Sequence, residues 1–178
     1  GLINYKTDLT SVKFGKDRGL ETIQDKSLNV IIKKPATKGY ENVPSMILQG
    51  HMDMVCEKNQ GTEHDFMKDS LKLRIVDGWI KATGTTLGAD NGIAVAFALA
   101  LLDSKELPHP ALEVLITSDE EMGMTGAQNL DTSLLSSKTL INIDTEEEGE
   151  LYVSCAGGAR GVFEIPVKKK KLHQKDFI

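Results

Sequence analysis

The stretch ALEVLITSDEE, residues 111–121, joins an apolar run directly to three acidic residues. The run is short and rich in Leu, Val and Ile, which favours a buried strand. Asp119, Glu120 and Glu121 follow without an intervening loop, so the strand would bring them to an edge of the sheet. The alternative is a solvated turn, in which adjacent acids repel one another at a cost of a few tenths to about 1 kcal/mol per exposed pair.

Two further predicted strands end in the same kind of residue. SMILQGHMDMV (45–55) begins as a buried strand and reaches His51 and Asp53. TLINI (139–143) is followed directly by Asp144. In open α/β sheets, ligands bind at the carboxyl ends of the strands. The sequence therefore predicts that these side chains gather at one sheet edge.

The remaining segments predict the fold class. IAVAFALALL (93–102) favours a buried helix, LNVII (28–32) a strand, and LKLRIVDGWIKA (71–82) a hairpin around Asp77-Gly78. Strands that alternate with helices indicate an α/β protein, here with a mixed, mostly parallel sheet flanked by helices. Residues 1–27 are weakly patterned and predict no element, whereas LYVSC (151–155) predicts one more strand.

Composition excludes several classes of protein. The 178 residues carry a net charge of −5, which argues against nucleic acid as a partner. No run of about 18 apolar residues is present, so no membrane span is expected. Cys56 and Cys155 form no C-x-x-C pair, so we expect no thiolate zinc site and two reduced cysteines in a cytoplasmic protein.

His51 and Asp53 form an H-x-D motif. In an extended chain both side chains face the same side, and a carboxylate commonly holds the second ring nitrogen of a metal-binding imidazole. A solvent-facing His beside an unrelated Asp is the alternative. Asp90 lies in GTTLGADNG (84–92) at the start of the predicted helix, where it could be an ordinary N-cap. The surrounding glycines instead suggest a backbone bent to place this carboxylate.

This donor set indicates the kind of metal. One His with several carboxylates suits zinc, manganese or cobalt better than calcium, which prefers oxygen ligands only. Two metals bridged by a carboxylate are a hydrolytic arrangement, and Asp90 is available as the bridge.

Four motifs together resemble one enzyme family. GHMDMV (50–55), TTLGADNGIA (85–94), TSDEEMGMTGA (117–127) and NIDTEEEGE (142–150) are similar to the two-zinc exopeptidases that include carnosinase-like dipeptidases. The likeness is greatest to the aminoacyl-histidine (Xaa-His, β-alanyl-histidine) dipeptidases. The resemblance implies two zinc ions per site, a small peptide substrate and a Glu that serves as general base and acid. The roles that it implies are His51 and Asp144 on the first zinc, Glu121 on the second, Asp90 bridging both, Asp53 orienting His51, and Glu120 as the base.

The resemblance also implies the organisation of the chain. Residues 1–158 would be the first part of the catalytic domain, and residues 159–178 the start of a lid through which the family forms homodimers. A further zinc-binding His comes late in the family's sequences and has no match here, so we expect this chain alone to be inactive or nearly so. Family members hold the peptide bond after the bridging Asp in cis, here Asp90–Asn91. A tripeptidase, a deacylase of N-acyl amino acids and a non-catalytic homologue remain as alternatives.

Overall fold

A computed structural model describes residues 4–145, 147, 149–159 and 161–168. The chain divides into two compact units, Gly1–Glu146 and Glu147–Ile178. All helices and strands of the described residues belong to the first unit. The boundary that we expect between residues 158 and 159, where the catalytic part would end and a lid would begin, stays a prediction.

A five-stranded sheet forms the centre of the first unit. Its strands, in chain order, are β1 (Glu21–Gln24), β2 (Val30–Lys34), β3 (Met46–His51), β6 (Leu112–Thr117) and β7 (Thr139–Asn142). In the sheet they are arranged in the order β1-β2-β6-β3-β7. Strand β3 pairs in parallel with both β6 and β7, whereas β2 pairs antiparallel with β1 and β6. The α/β class and the mixed sheet are therefore confirmed.

Burial follows the predicted apolar runs. All six residues of β6 are buried, as expected for a central strand covered on both faces. Helix α2 (Ala89–Asp103) covers one face of the sheet with small and apolar side chains, among them Ala94, Ala98 and Leu102. A second apolar cluster contains Ile31, Ile47 and Leu115. The sheet thus fixes where each of its central strands ends.

The smaller elements complete the unit. The predicted hairpin is present as β4 (Leu73–Val76) and β5 (Trp79–Ala82), joined through Asp77 and Gly78. A short helix α3 (Thr125–Gln128) and a 3₁₀ turn (Thr132–Leu134) lie between β6 and β7.

Two segments differ from the prediction. Residues 1–27 contain helix α1 (Asn4–Asp17) and strand β1. Helix α1 has few apolar side chains, so its hydrophobic pattern does not identify it as a helix. Val12 and Phe14 are among these side chains, and they pack on the sheet. Residues 151–155 form no strand. Strands require a pairing partner, and the described residues of the second unit contain none.

Composition-based expectations can also be compared with the structure. None of the helices within the described ranges has the length and apolar character that crossing a bilayer requires. Cys56 and Cys155 are both exposed, free cysteines.

Glu113 is a buried carboxylate in β6, far along the strand from the acidic residues that follow it. Its oxygens accept hydrogen bonds from the Ser136 and Ser137 amides at 2.8–3.1 Å and from the Ser136 hydroxyl at 2.9 Å. Burial favours the neutral acid, but these hydrogen bonds outweigh it and hold the pKa of Glu113 below its usual value.

We predict that Glu113→Gln in the whole protein lowers the free energy of unfolding at pH 7 by about 1–3 kcal/mol. Because the folded-state pKa lies below the unfolded one, the stability from Glu113 is present at neutral pH and is lost as pH falls through the folded value. Urea unfolding across pH 3–7 should therefore show a shallower acid dependence in the variant. The exposed Glu106→Gln is the control, and an equal pH dependence in wild type and Glu113→Gln would contradict the prediction.

Candidate metal centre

Three neighbouring strands end at the same edge of the sheet and carry the candidate residues there. His51 is the last residue of β3, Glu120 and Glu121 follow the end of β6, and Asp144 follows the end of β7. Helix α2 packs against β3 and supplies Asp90 from its first turn.

His51 lies at the middle of this group, and its side chain is 1% exposed. Its Nδ1 donates a hydrogen bond to the Asp53 carbonyl oxygen at 3.0 Å. Its Nε2 lies 3.1 Å from Asp90 Oδ1, 3.8 Å from Asp144 Oδ2 and 3.9 Å from Glu120 Oε2. Because a carbonyl only accepts, Nδ1 carries a hydrogen, and the lone pair of a neutral ring therefore belongs to Nε2, among the carboxylates.

Asp53 connects the ends of β3 and β6. Its Oδ1 lies 3.4 Å from His51 Nδ1. The same carboxylate accepts hydrogen bonds from the backbone amides of Glu120, at 3.0 Å, and Glu121, at 3.1 Å. The sequence predicted the contact with His51 but not the contacts with the acidic loop. Asp53 therefore fixes both the imidazole and the two residues opposite it.

Asp90 is not an N-cap, since Gly88 occupies that position and no side chain caps the helix. The Asp90–Asn91 peptide is cis, as the resemblance implied. Gly88 has φ of 72°, and a Cβ there would approach Met54 Sδ to 2.8 Å. A left-handed backbone in close contact with a side chain requires glycine, which explains one of the glycines around Asp90.

Asn91 is a site residue that the sequence reasoning did not identify. Its Oδ1 accepts a hydrogen bond from the His51 amide at 3.1 Å, and its Nδ2 donates to the Ile143 carbonyl at 2.6 Å. It thus joins α2 to the ends of β3 and β7. A polar residue immediately before an apolar helix was the available signal.

The electrostatics favour a positive charge at the centre of the cluster. Burial alone would lower the pKa of His51, but hydrogen bonds with Asp53 and Asp90 and the charges of Asp144 and Asp53 raise the pKa to about 9. Burial raises the pKa of Glu120, with further contributions from Asp144 and Glu121.

Asp144 and Asp53 respond differently to the same environment. Burial raises the pKa of Asp144, and the Asp90 carboxylate adds to this against the opposing charge of His51. For Asp53, burial is outweighed by hydrogen bonds from His51 and the two backbone amides, so its pKa is lowered. These hydrogen bonds therefore favour the ionised form of Asp53 beside the ring.

All six predicted site residues meet at this edge. Within the described residues, two groups place one potential ligand atom from each member within 4.8 Å of the others: His51, Asp90 and Asp144, and His51, Glu120 and Glu121. Among those residues, the only cationic partner recorded for these carboxylates is His51 itself. An imidazole surrounded by carboxylates is a donor set that zinc accepts.

Comparison with known proteins agrees with this arrangement. The sequence profile of Peptidase family M20/M25/M40 matches residues 47–175. The chain belongs to this family. The matched residues include α2, β6, β7, β3 from Ile47 onward, and every residue of the candidate site described above.

Two individual relatives within the M20 family match most of this chain. The chain is 50% identical to the cytosol non-specific dipeptidase of Escherichia coli over 147 residues, which are 83% of this chain and 30% of the relative. The crystal structure of aminoacylhistidine dipeptidase from Vibrio alginolyticus matches with a TM-score of 0.78 and 47% identity, over 81% of this chain and 29% of that one. The resemblance to aminoacyl-histidine dipeptidases is thereby confirmed.

A relative with lower sequence identity is named an aminopeptidase rather than a dipeptidase. The aminopeptidase PepT of Bacillus cereus matches with a TM-score of 0.66 and 30% identity, over 83% of this chain and 39% of that one. The chain spans 30% of the length of the E. coli dipeptidase and 29% of the length of the V. alginolyticus enzyme, which is less than a third of each.

Proposed function

We propose that the whole protein is a metal-dependent dipeptidase that hydrolyses Xaa-His dipeptides in the cytoplasm. The observation that carries the proposal is the convergence of one buried imidazole and four carboxylates at the end of three parallel strands. The names of the M20 relatives support a dipeptide substrate, and the E. coli relative is named a cytosol enzyme.

We assign the metal ligands from the donor set. His51 and Asp144 would hold one zinc ion, Glu121 a second, and Asp90 would bridge them, while Asp53 orients His51. Manganese and cobalt are chemically acceptable substitutes. Bound zinc would lower the pKa of a water molecule toward neutrality and polarise the carbonyl of the scissile bond.

Glu120 is the proton carrier in this proposal. It follows the strand end, 34% of its side chain is exposed, and its Oε2 lies 3.9 Å from His51 Nε2. Burial raises its pKa toward the range in which a carboxylate accepts and returns protons effectively. Glu120 would take the proton of the attacking water and deliver one to the leaving amine.

The remaining groups keep the base in place. Asp53 holds the Glu120 backbone through its amide, which restricts where the carboxylate can point. Fixing a base near the reacting atoms lowers the entropic part of the barrier. A homodimer formed through a lid beginning near residue 159 belongs to the same proposal and follows from the family resemblance alone.

The test of the proposed function is hydrolysis of a peptide panel by the whole protein with added zinc. We expect turnover of Xaa-His dipeptides, loss of turnover after chelation, and recovery when zinc is restored. The 178-residue chain assayed in parallel should show little turnover, because His51 is the only imidazole in the cluster within the described residues. No hydrolysis of any dipeptide by the zinc-loaded whole protein would contradict the proposal.

Tripeptide cleavage is the second candidate function. It is favoured by the likeness to a tripeptidase structure from Staphylococcus aureus, with a TM-score of 0.65 and 25% identity. Tripeptides and N-acyl amino acids in the same panel separate the alternatives, since kcat/KM ranks the substrates directly.

A further inference from the structure

The loop that carries Glu120 and Glu121 runs from Ser118 to Gly126 and is closed on itself at its base. Ser118 directly follows β6, and Gly126 lies in α3. Both positions are buried, with Ser118 3% exposed. What holds the two ends together therefore decides where the two carboxylates lie.

Asn29 makes that connection. Its Oδ1 accepts a hydrogen bond from the Ser118 amide at 3.1 Å, and its Nδ2 donates to the Gly126 carbonyl at 2.9 Å. The second Nδ2 hydrogen is donated to Asp25 Oδ2 at 2.8 Å. The side chain is completely buried, at 0% exposure, so no solvent replaces these bonds.

The chemistry of the partners explains why this residue is an asparagine. The Gly126 carbonyl and the Asp25 carboxylate only accept, while the Ser118 amide only donates. An aspartate at position 29 would place an acceptor opposite two acceptors. Leucine would leave the buried Ser118 amide without its acceptor, which is costly, and would remove one hydrogen bond each from the Gly126 carbonyl and the Asp25 carboxylate. Among side chains of this size, the carboxamide satisfies all three partners.

The neighbouring residues make the closure tight. A Cβ on Gly126 would approach Asn29 Oδ1 to 2.7 Å and would meet the Ser118 carbonyl oxygen more closely still. The Ser118 hydroxyl also donates to the Ser27 carbonyl at 2.6 Å. The turn between β1 and β2 is thus bonded to the base of the loop from a distance of about ninety residues in sequence.

We infer that Asn29 is a positioning residue for the reaction, acting by closing the base of the 118–126 loop so that Glu120 and Glu121 face His51. Asp53 holds the segment of the loop that carries the two carboxylates, through the amides of Glu120 and Glu121, and Asn29 holds the base of the loop. The assignment rests on the proposed function for the roles of the two glutamates. Residues that fix metal ligands from behind commonly change metal affinity or activity by about 10–100-fold when replaced.

The test compares Asn29→Asp with wild type in the whole protein, by three measurements. We expect amide hydrogen exchange at Glu120 and Glu121 in the metal-free protein to become at least about tenfold faster, and zinc affinity by chelator competition to fall by about 10–100-fold. We expect kcat to fall over the same range while KM changes less than about threefold. Exchange and zinc affinity require no turnover.

Glu113→Gln is the matched control, since it also alters a buried, hydrogen-bonded side chain of the sheet but lies away from the loop. It should change stability and leave loop exchange and zinc affinity as in wild type. If Asn29→Asp does not fold, Gly126→Ala opens the same closure from its other end and should give the same three changes.

The outcomes separate the two ideas. Wild-type exchange and zinc affinity in a folded Asn29→Asp, or in Gly126→Ala, would overturn the assignment of Asn29. A wild-type protein that binds no zinc would instead overturn the proposed function, while faster loop exchange in the variant would still show the closure.

Discussion

Glu120→Gln in the whole protein is expected to lower kcat for Xaa-His dipeptides by about 10²–10⁴-fold, the usual contribution of a general base. The substitution keeps the size of the side chain and removes its capacity to accept a proton. The backbone amide of Glu120 still donates to Asp53, so the loop should keep its conformation. Zinc content should therefore be unchanged.

Steady-state kinetics and metal analysis of the same preparation check this prediction. Glu106→Gln is the matched control, because Glu106 is exposed and follows the opposite end of α2 from Asp90. A kcat within about threefold of wild type for Glu120→Gln would remove it as the base. Loss of zinc in that variant would indicate that Glu120 is a ligand, as its place in a group with His51 and Glu121 also permits.

Asp90→Asn has the second large expected effect, because it acts on both proposed metal positions. Replacing one oxygen of the carboxylate by an amide nitrogen removes the charge and the capacity to bridge two cations. We expect zinc affinity to fall by more than about 100-fold, beyond the range for residues behind the ligands, with hydrolysis lost in parallel.

The control for this variant lies on the same helix. Asp103, at the other end of α2, pairs with Arg18 at 2.7 Å and is exposed. Asp103→Asn should leave zinc binding unchanged, since exposed ion pairs contribute little. Equal zinc affinity in Asp90→Asn and Asp103→Asn would exclude Asp90 as a ligand.

Much of this arrangement is predictable from local sequence. Apolar runs that end in His51, Glu120 or Asp144 indicate both a strand and its functional end. The hydrophobic pattern of β6 and α2 also predicts burial correctly, because a central strand and a covering helix are apolar along most of their length.

The rest depends on contacts between distant parts of the chain. Helix α1 has too few apolar residues to be recognised alone, and its place is set by packing on β1 and β2. LYVSC has the composition of a strand but no pairing partner among the described residues. The roles of Asn29 and Asn91 appear only when hydrogen bonds join segments 40 or more residues apart.

Zinc titration of the metal-free whole protein, followed by isothermal calorimetry, tests the central claim most directly. The account predicts two zinc ions per chain in wild type and in Asp103→Asn, and loss of tight zinc binding in both Asp90→Asn and His51→Ala. Tight binding of two zinc ions by Asp90→Asn or His51→Ala, or no binding by wild type, would contradict it.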